Sequence, residues 1–81
     1  MRYTGYTYLN LIEDVLREEK REMTLKEIWA IAQQKGLDKR LTSVGKTPVN
    51  TMNASIRRHI ETSDKVKFKQ TNVRPALYYL N

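Results

Sequence analysis

The 81-residue chain has no cysteine and only one histidine. Disulfide bonds and thiolate metal sites are therefore excluded, and a single histidine cannot form a zinc site unaided. No apolar run is long enough to span a bilayer, and no signal-peptide pattern opens the sequence. We therefore expect an intracellular, cytoplasmic protein, nucleoid-associated if bacterial, with no membrane contact and no cofactor or metal.

Chain length also limits the size of the core. A chain this short buries only about 60% of the surface that its unfolded form exposes. Such a core supports one helix-rich unit but leaves no room for a deep substrate pocket as well. We expect a single domain over residues 1–81, in which residues 1–6 form a lead-in.

Charge is distributed unevenly along the chain, which has a net charge of +6. Residues 1–34 contain five basic and six acidic groups, a net of −1, whereas residues 35–81 contain ten basic and three acidic groups, a net of +7. This asymmetry indicates a surface directed at a polyanion such as nucleic acid. A generally basic surface that only maintains solubility would give the same composition.

Apolar periodicity and capping signals predict three helices. Apolar residues recur at helical spacing over residues 7–20, the first predicted helix. Thr24 and Glu27 form a capping box for the second helix, and Gly36 suits its left-handed end. Residues 37–46 are predicted to form a basic loop. The third helix is predicted over residues 47–62, with Thr47 as the capping side chain and Pro48 at the first helical position.

The remainder of the chain has the period of strands. Residues 21–23 are predicted to be a short extended piece that makes one or two ladder bonds. Residues 66–69 and 76–80 are predicted strands, joined by residues 70–75 into a hairpin. The predicted inward side chains are Val66, Phe68, Tyr78 and Leu80. Three helices followed by a hairpin predict an α+β, mainly helical fold of the winged helix-turn-helix type.

Residues 45–47 (GKT) are similar to the end of a nucleotide-binding P-loop. That motif requires a glycine at position 40, where this chain has Arg40, and it requires a preceding buried strand. Triphosphate binding is therefore excluded. Lys46 and Thr47 have a second use, because the free amides of a helix N-terminus attract phosphate. The alternative is a simple helix start that binds nothing.

The outward side of the third helix combines residues that contact DNA in other proteins. Asparagine pairs with adenine and arginine with guanine in the major groove, and each of these side chains also contacts phosphate. A solvated helix face is the alternative interpretation. The predicted contact residues of this helix are Asn50, Thr51, Ala54, Arg57 and Arg58.

Basic residues outside the third helix extend the predicted surface. Lys67, Lys69 and Arg74 lie on the predicted hairpin, where they are candidate contacts to phosphates or to the minor groove. Lysines on an edge strand also discourage aggregation, which is the alternative for Lys67 and Lys69. Lys39 and Arg40, before the third helix, are further candidate backbone contacts.

Catalytic residues are not predicted. His59 has no serine, cysteine or carboxylate pattern to support a catalytic role, so we expect it to be a half-buried helix residue. We therefore expect that this chain is not an enzyme.

Several short runs follow the pattern of a known family. They are residues 23–29 (MTLKEIW), Ala32, residues 36–37 (GL), residues 45–48 (GKTP), residues 51–54 (TMNA), Phe68 and residues 77–80 (LYYL). In these runs the chain resembles the HARE-HTH domain over all but its first few residues. The run GKTP, together with Thr51 and Ala54, is the most specific part of the resemblance.

The resemblance implies a winged helix that is associated with a larger machine. Members of this family occur in restriction endonucleases, beside bacterial RNA polymerase and in eukaryotic chromatin regulators. A role in reading DNA, including modified DNA, has been proposed for them, and this supports Lys46, Thr47 and the third helix as contacts. The restriction-associated branch is most similar, because GKTP is intact. With no nuclease signature in this chain, any cleavage would belong to another domain.

Two hypotheses of function follow. The first is a double-stranded DNA-binding module that targets a larger DNA-modification or restriction protein, with a fused or associated nuclease or transcription protein as partner. The second is a protein-interaction winged helix that docks an enzyme or a transcription or chromatin factor, motivated by the mixed charges of the first helix.

Overall fold

The computed structural model describes residues 6–41 and 45–81. Most of the predicted lead-in and the centre of the predicted basic loop lie outside these residues. The elements, in chain order, are α1 (Tyr8–Glu19), α2 (Leu25–Lys35), a 3₁₀ helix (Leu37–Arg40), α3 (Pro48–Thr62), β1 (Phe68–Asn72) and β2 (Leu77–Leu80). Three α-helices are thus followed by a two-stranded antiparallel hairpin, as predicted.

Helices α1 and α2 begin at reciprocal capping boxes. The Thr24 hydroxyl accepts from the Glu27 amide at 3.1 Å, and the Glu27 carboxylate accepts from the Thr24 amide at 3.0 Å. Thr7 and Asn10 make the same exchange at the start of α1. Gly36 ends α2 in the left-handed region, with φ of 76°, as the sequence predicts. These local hydrogen bonds stabilise both helix starts independently of tertiary contacts.

Helix α3 begins differently from the other two, and here one prediction is wrong. Pro48 is at the first helical position, but the Thr47 side chain makes no capping hydrogen bond. Thr47 has φ of −127° and ψ of 72°, outside the extended region that a capping residue usually adopts. Only its carbonyl takes part, by accepting from the Thr51 amide at 3.1 Å. The Thr47 hydroxyl therefore leaves the first amides of α3 uncapped.

This difference predicts that two threonine substitutions have unequal costs. Thr24→Ala removes a side-chain cap and should lower the free energy of unfolding by about 1 kcal/mol. Thr47→Ala removes no cap and should change it by less than about 0.5 kcal/mol. Urea denaturation followed by circular dichroism measures both. Equal costs for the two variants would contradict the assignment of the caps.

The segment after α2 is more regular than the predicted loop. Residues 37–40 form one turn of 3₁₀ helix, and Leu41 then makes an isolated parallel bridge with Tyr6. Residues 37–46 carry several charged side chains and a glycine, which is why the sequence alone indicated a loop. The bridge to Tyr6 is a contact between distant parts of the chain that local patterns do not reveal.

The first strand of the hairpin is shifted from its predicted position: it covers Phe68–Asn72 rather than residues 66–69, so Val66 and Lys67 precede it. Phe68 pairs with Leu80 and Gln70 pairs with Tyr78, and after an irregularity Asn72 pairs with Leu77. Residues 70–72 therefore belong to β1, and the connection is shorter than the predicted residues 70–75. The sequence did not indicate this part of the strand, because Gln70, Thr71 and Asn72 are all polar and their side chains are mostly exposed.

A third backbone segment extends the hairpin. The Met23 amide donates to the Tyr78 carbonyl at 3.1 Å, and the Tyr78 amide donates to the Met23 carbonyl at 2.9 Å. The predicted short extended piece before α2 is thereby confirmed as a single bridge. Because Met23 flanks β2, backbone hydrogen bonds as well as side chains attach the hairpin to the helices.

The core lies between the three helices and the inner face of the hairpin. Helix α3 packs against α1, α2 and β1. Among the predicted inward hairpin residues Phe68 and Tyr78 are buried, whereas Val66 and Leu80 are half-buried. No helix in residues 6–41 or 45–81 is both long and apolar enough to cross a membrane. The fully or almost fully buried side chains are Leu11, Ile12, Val15, Leu16, Met23, Leu25, Ile28, Ala32, Met52, Ile56, Phe68 and Tyr78.

Candidate nucleic-acid interface

Helix α3 has one face in the core and one face in solvent. Met52 and Ile56 are buried, and Val49 and Ile60, one turn beyond them at either end, are half-buried. This is the apolar stripe that the sequence predicts at three- and four-residue spacing. Packing of the stripe against α1 and α2 turns the opposite face outward. The predicted contact residues on that face are all exposed: Asn50, Thr51, Ala54, Arg57 and Arg58.

Within this exposed face, the residues differ in size and charge along the helix. Ala54 lies one turn from both Asn50 and Arg57, so a small side chain separates two long polar ones. Thr51 is already engaged, because its hydroxyl donates to the Thr47 carbonyl at 3.3 Å. Glu61 follows Arg57 by one turn and places a negative charge on the last turns of the face. The first three turns of α3 are therefore the part that suits a polyanion.

The charges of α1 and those of α3 differ in whether they are paired within the protein. The acidic residues of α1 are paired: Glu13 with Arg17, Glu18 with Lys35 at 2.8 Å, and Glu19 with Lys35 at 3.9 Å. The hydrogen bond to Glu18 raises the pKa of Lys35. Among residues 6–41 and 45–81, by contrast, no ion pair involves the following cations: Lys46, Arg57, Arg58, Lys69 and Arg74. The charges of these five cations are thus not neutralised by the ion pairs of the described residues.

The start of α3 is open to solvent. Gly45, Lys46 and Thr47 are exposed. Because Thr47 provides no side-chain cap, the first amides after Pro48 retain their capacity to donate. The positive end of the helix dipole adds to this, and Lys46 supplies a full charge beside it.

His59 fixes the hairpin against α3. Its Nε2 accepts from the Lys67 amide at 2.9 Å, and its ring meets the edge of Phe68 with 5.5 Å between ring centres. His59 is half-buried, as expected, and has a structural role in these contacts. It thereby sets the direction in which the hairpin leaves the helix.

The predicted contact residues of the hairpin are exposed but are not equivalent. Lys67, at the base, approaches Glu13 of α1 to 4.0 Å, so part of its charge is directed at the protein itself. Lys69 lies within β1, and Arg74 lies in the turn between the strands. Arg74 and its neighbour Val73 are exposed, Val73 to 72%. The end of the hairpin therefore presents a cation beside an exposed apolar side chain.

Arg40 has a partner that the sequence did not indicate. Its guanidinium carbon lies 4.5 Å from the centre of the Tyr6 ring, and the Tyr6 hydroxyl donates to Oδ2 of Asp14 at 2.6 Å. Burial and the bond to Asp14 raise the pKa of Tyr6. Lys39, the neighbouring predicted contact, is exposed at the surface of the 3₁₀ helix.

A groove beside α3 contains two polar residues that were not predicted as contacts. It has a volume of about 300 Å³ and lies between the start of α2, the first half of α3 and β2, with Tyr78 and Ala76 in its wall. Lys26 and Asn53 are exposed along it. Lys26 was missed because it falls in the near-neutral part of the chain, and Asn53 because it lies beside the apolar stripe. Only the packing of α2 against α3 brings them together.

Metal binding has no support in the described part of the chain, which contains no group of three or more histidine, aspartate or glutamate side chains placed to hold an ion.

These elements define a winged helix-turn-helix protein: α2 and α3 form the helix-turn-helix, and the hairpin is the wing. The chain belongs to the HARE-HTH family, whose model matches residues 6–77 and whose description includes ASXL and a restriction endonuclease HTH domain. It is thus a HARE-HTH winged helix, a type of DNA-binding module that is typically non-catalytic. Comparison with curated proteins and with solved structures gave no match.

Proposed function

We propose that this chain binds double-stranded DNA, with α3 directed into the major groove and the hairpin acting as a wing on the flanking backbone. The observation that carries the proposal is the division of charge. The acidic groups of α1 are paired within the protein, whereas Arg57, Arg58, Lys69 and Arg74 are exposed and make no ion pair among residues 6–41 and 45–81. A duplex supplies closely spaced phosphates that attract such a surface.

The exposed face of α3 has the composition of a base-reading surface. Asn50 and Arg57 flank the small Ala54, which allows the helix backbone to approach the groove floor closely. In this position Asn50 is suited to adenine and Arg57 to guanine, and Arg58 on the flank is suited to phosphate. Glu61 repels phosphate, which favours insertion of the first three turns over the last.

The start of α3 supports a phosphate contact. The amides after Pro48, which no side chain of residues 6–41 or 45–81 caps, the helix dipole and Lys46 all lie at the exposed start of α3. Thr47 contributes a hydroxyl that makes no capping bond within the protein. Lys39, on the 3₁₀ helix before α3, is a further backbone contact in this proposal.

The wing contributes contacts of graded strength. Arg74, in the turn, is exposed and makes no ion pair among residues 6–41 and 45–81. Lys69 follows it, and Lys67 contributes least because Glu13 already attracts its ammonium group. Lys26 of α2 and Asn53 of α3 add polar groups along the protein groove between α2, α3 and β2.

We further propose that the module targets a larger DNA-modification or restriction protein. The description of the family includes a restriction endonuclease, and a module of this kind supplies binding while a partner domain or subunit supplies chemistry. The partner in this proposal is a fused or associated nuclease or a transcription protein.

Salt dependence tests duplex binding. Each phosphate contact should contribute about −0.9 to the slope of log affinity against log salt concentration, so four or more contacts predict a slope of about −3.6 or steeper. Fluorescence anisotropy with a labelled duplex at several salt concentrations measures this slope. Absence of salt-dependent binding to any duplex would contradict the proposal and leave protein docking as the function to test.

A further inference from the structure

Three side chains connect α1 to the segment that precedes α3. Asp14 is on α1, Tyr6 precedes that helix, and Arg40 ends the 3₁₀ helix. The Tyr6 hydroxyl donates to Asp14 at 2.6 Å, and the Arg40 guanidinium lies over the Tyr6 ring at 4.5 Å. We call Asp14, Tyr6 and Arg40 the Tyr6 clamp.

The contacts of the Tyr6 clamp reinforce one another. A hydrogen bond to a carboxylate is roughly twice as strong as one between neutral groups, and it holds the ring in one orientation. The face of that ring attracts the guanidinium. The backbone adds a further link, because Tyr6 forms a parallel bridge with Leu41, the residue after Arg40. Since burial and Asp14 both raise the pKa of Tyr6, its hydroxyl stays a donor at ordinary pH.

The Tyr6 clamp fixes the chain shortly before the predicted phosphate contacts. Lys46 and Thr47 follow Leu41 within a few residues and lead directly into α3. The Tyr6 clamp also holds Lys39, the residue before Arg40, on a 3₁₀ helix that packs against α2, and a contact residue that is held in place before binding loses less conformational freedom when the ligand binds. A guanidinium that is held over the Tyr6 ring is anchored beside α1, which restricts the positions from which it can reach a phosphate.

We propose that Arg40 is a positioning residue of the DNA-binding surface: through Tyr6 and Asp14 it holds the 3₁₀ helix that carries Lys39, and it raises duplex affinity without contacting DNA. The inference rests on the proposed duplex binding and replaces the direct backbone contact that the sequence predicts for Arg40. Lys46, by contrast, remains a direct phosphate contact in this proposal.

A double-mutant cycle combined with salt titration distinguishes the two roles. The variants are Arg40→Gln, Tyr6→Leu, their combination, and Lys46→Gln as the reference for a direct contact. Arg40→Gln and Tyr6→Leu should each weaken duplex binding by about fivefold, and the double variant should be no weaker than either, because both changes break one unit. Their salt slopes should equal that of the unmodified chain, whereas Lys46→Gln should make the slope about 0.9 less steep.

Conservative variants separate positioning from simple loss of fold. Arg40→Lys keeps a cation over the ring and should recover most of the affinity. Tyr6→Phe keeps the ring but not the bond to Asp14 and should lie between the unmodified chain and Tyr6→Leu. Urea denaturation of every variant identifies any that are partly unfolded, and affinities are compared only among variants that are folded in the binding buffer.

Two results would overturn the positioning role while leaving duplex binding intact. One is a salt slope that becomes about 0.9 less steep in Arg40→Gln while Tyr6→Leu leaves duplex affinity unchanged. This result identifies a direct phosphate contact at Arg40. The other is a loss of duplex affinity in the double variant that equals the product of the two single losses, which shows that the two residues act independently. Failure of the unmodified chain to bind any duplex would instead refute the proposed function, and the positioning role with it.

Discussion

Reversal of charge at both Arg57 and Arg58 should nearly abolish duplex binding. Loss of each arginine contact costs about 1–3 kcal/mol, so Arg57→Glu combined with Arg58→Glu should weaken binding at least roughly thirtyfold. The new carboxylates also repel phosphate, which adds to the loss. Both side chains are exposed and make no ion pair among the described residues, so the fold should be retained. Anisotropy titration with a labelled duplex measures the loss.

A matched control removes the effect of net charge alone. Lys20 and Arg21 are exposed in the turn after α1, where Arg21 approaches Glu19 to 4.0 Å. Lys20→Glu combined with Arg21→Glu changes the net charge by the same amount on the acidic side of the molecule. This variant should lose less than about threefold in affinity at moderate salt, because distant exposed charges are screened. Equal losses for the two double variants would contradict a binding face on α3.

The protein-docking hypothesis makes the opposite prediction for these variants. If the chain docks a protein through α1 or α2, reversal of Arg57 and Arg58 should leave that complex unchanged. The ion pairs on α1 now account for much of the mixed charge that motivated this hypothesis, since Glu13, Glu18 and Glu19 each have a basic partner within the chain.

Truncation of Phe68 should remove most of the stability of the domain. Its side chain is 1% exposed, pairs across the hairpin and meets the ring of His59. Phe68→Ala leaves a cavity and should lower the free energy of unfolding by about 3–5 kcal/mol. At roughly 0.05–0.15 kcal/mol per residue, a chain of this length has only about 4–12 kcal/mol in total. The variant should therefore unfold at a much lower urea concentration than the unmodified chain.

Val73 provides the control within the same hairpin. It is 72% exposed, so Val73→Ala should change the free energy of unfolding by less than about 0.5 kcal/mol. Urea denaturation monitored by tryptophan fluorescence is suitable for both variants, because Trp29 packs against the core. A cost below about 1 kcal/mol for Phe68→Ala would show that the hairpin does not complete the core as described.

Features that arise from local chemistry were predictable from the sequence. The cap at Thr24, the left-handed glycine at position 36 and the apolar stripe of α3 each depend on residues within one or two helical turns. The family pattern agreed with them, and the order of three helices and a hairpin is confirmed. The exposed face of α3 followed directly, because burial of one side of a helix determines the other.

Features that arise from distant contacts were not predictable. The sequence indicates a free cation at Arg40 because nothing near it is acidic or aromatic except Asp38, whereas its partner Tyr6 is far away along the chain. The lack of a Thr47 cap was also not predictable, because it follows from backbone angles of φ −127° and ψ 72° that the residue types around Thr47 do not reveal. Lys26 and Asn53 come together only through helix packing.

An NMR titration of the ¹⁵N-labelled chain with a short DNA duplex tests the central claim most directly. The expected result is a set of amide shifts confined to residues 45–58 and 67–74 and to the surroundings of Lys26 and Lys39, with the exposed face of α1 unchanged and the shifts reversed by added salt. A methylated duplex titrated in parallel would report any preference for modified bases. Shifts centred on the exposed faces of α1 and α2, or no shifts with any duplex at low salt, would contradict the assignment of α3 and the wing as a DNA-binding surface.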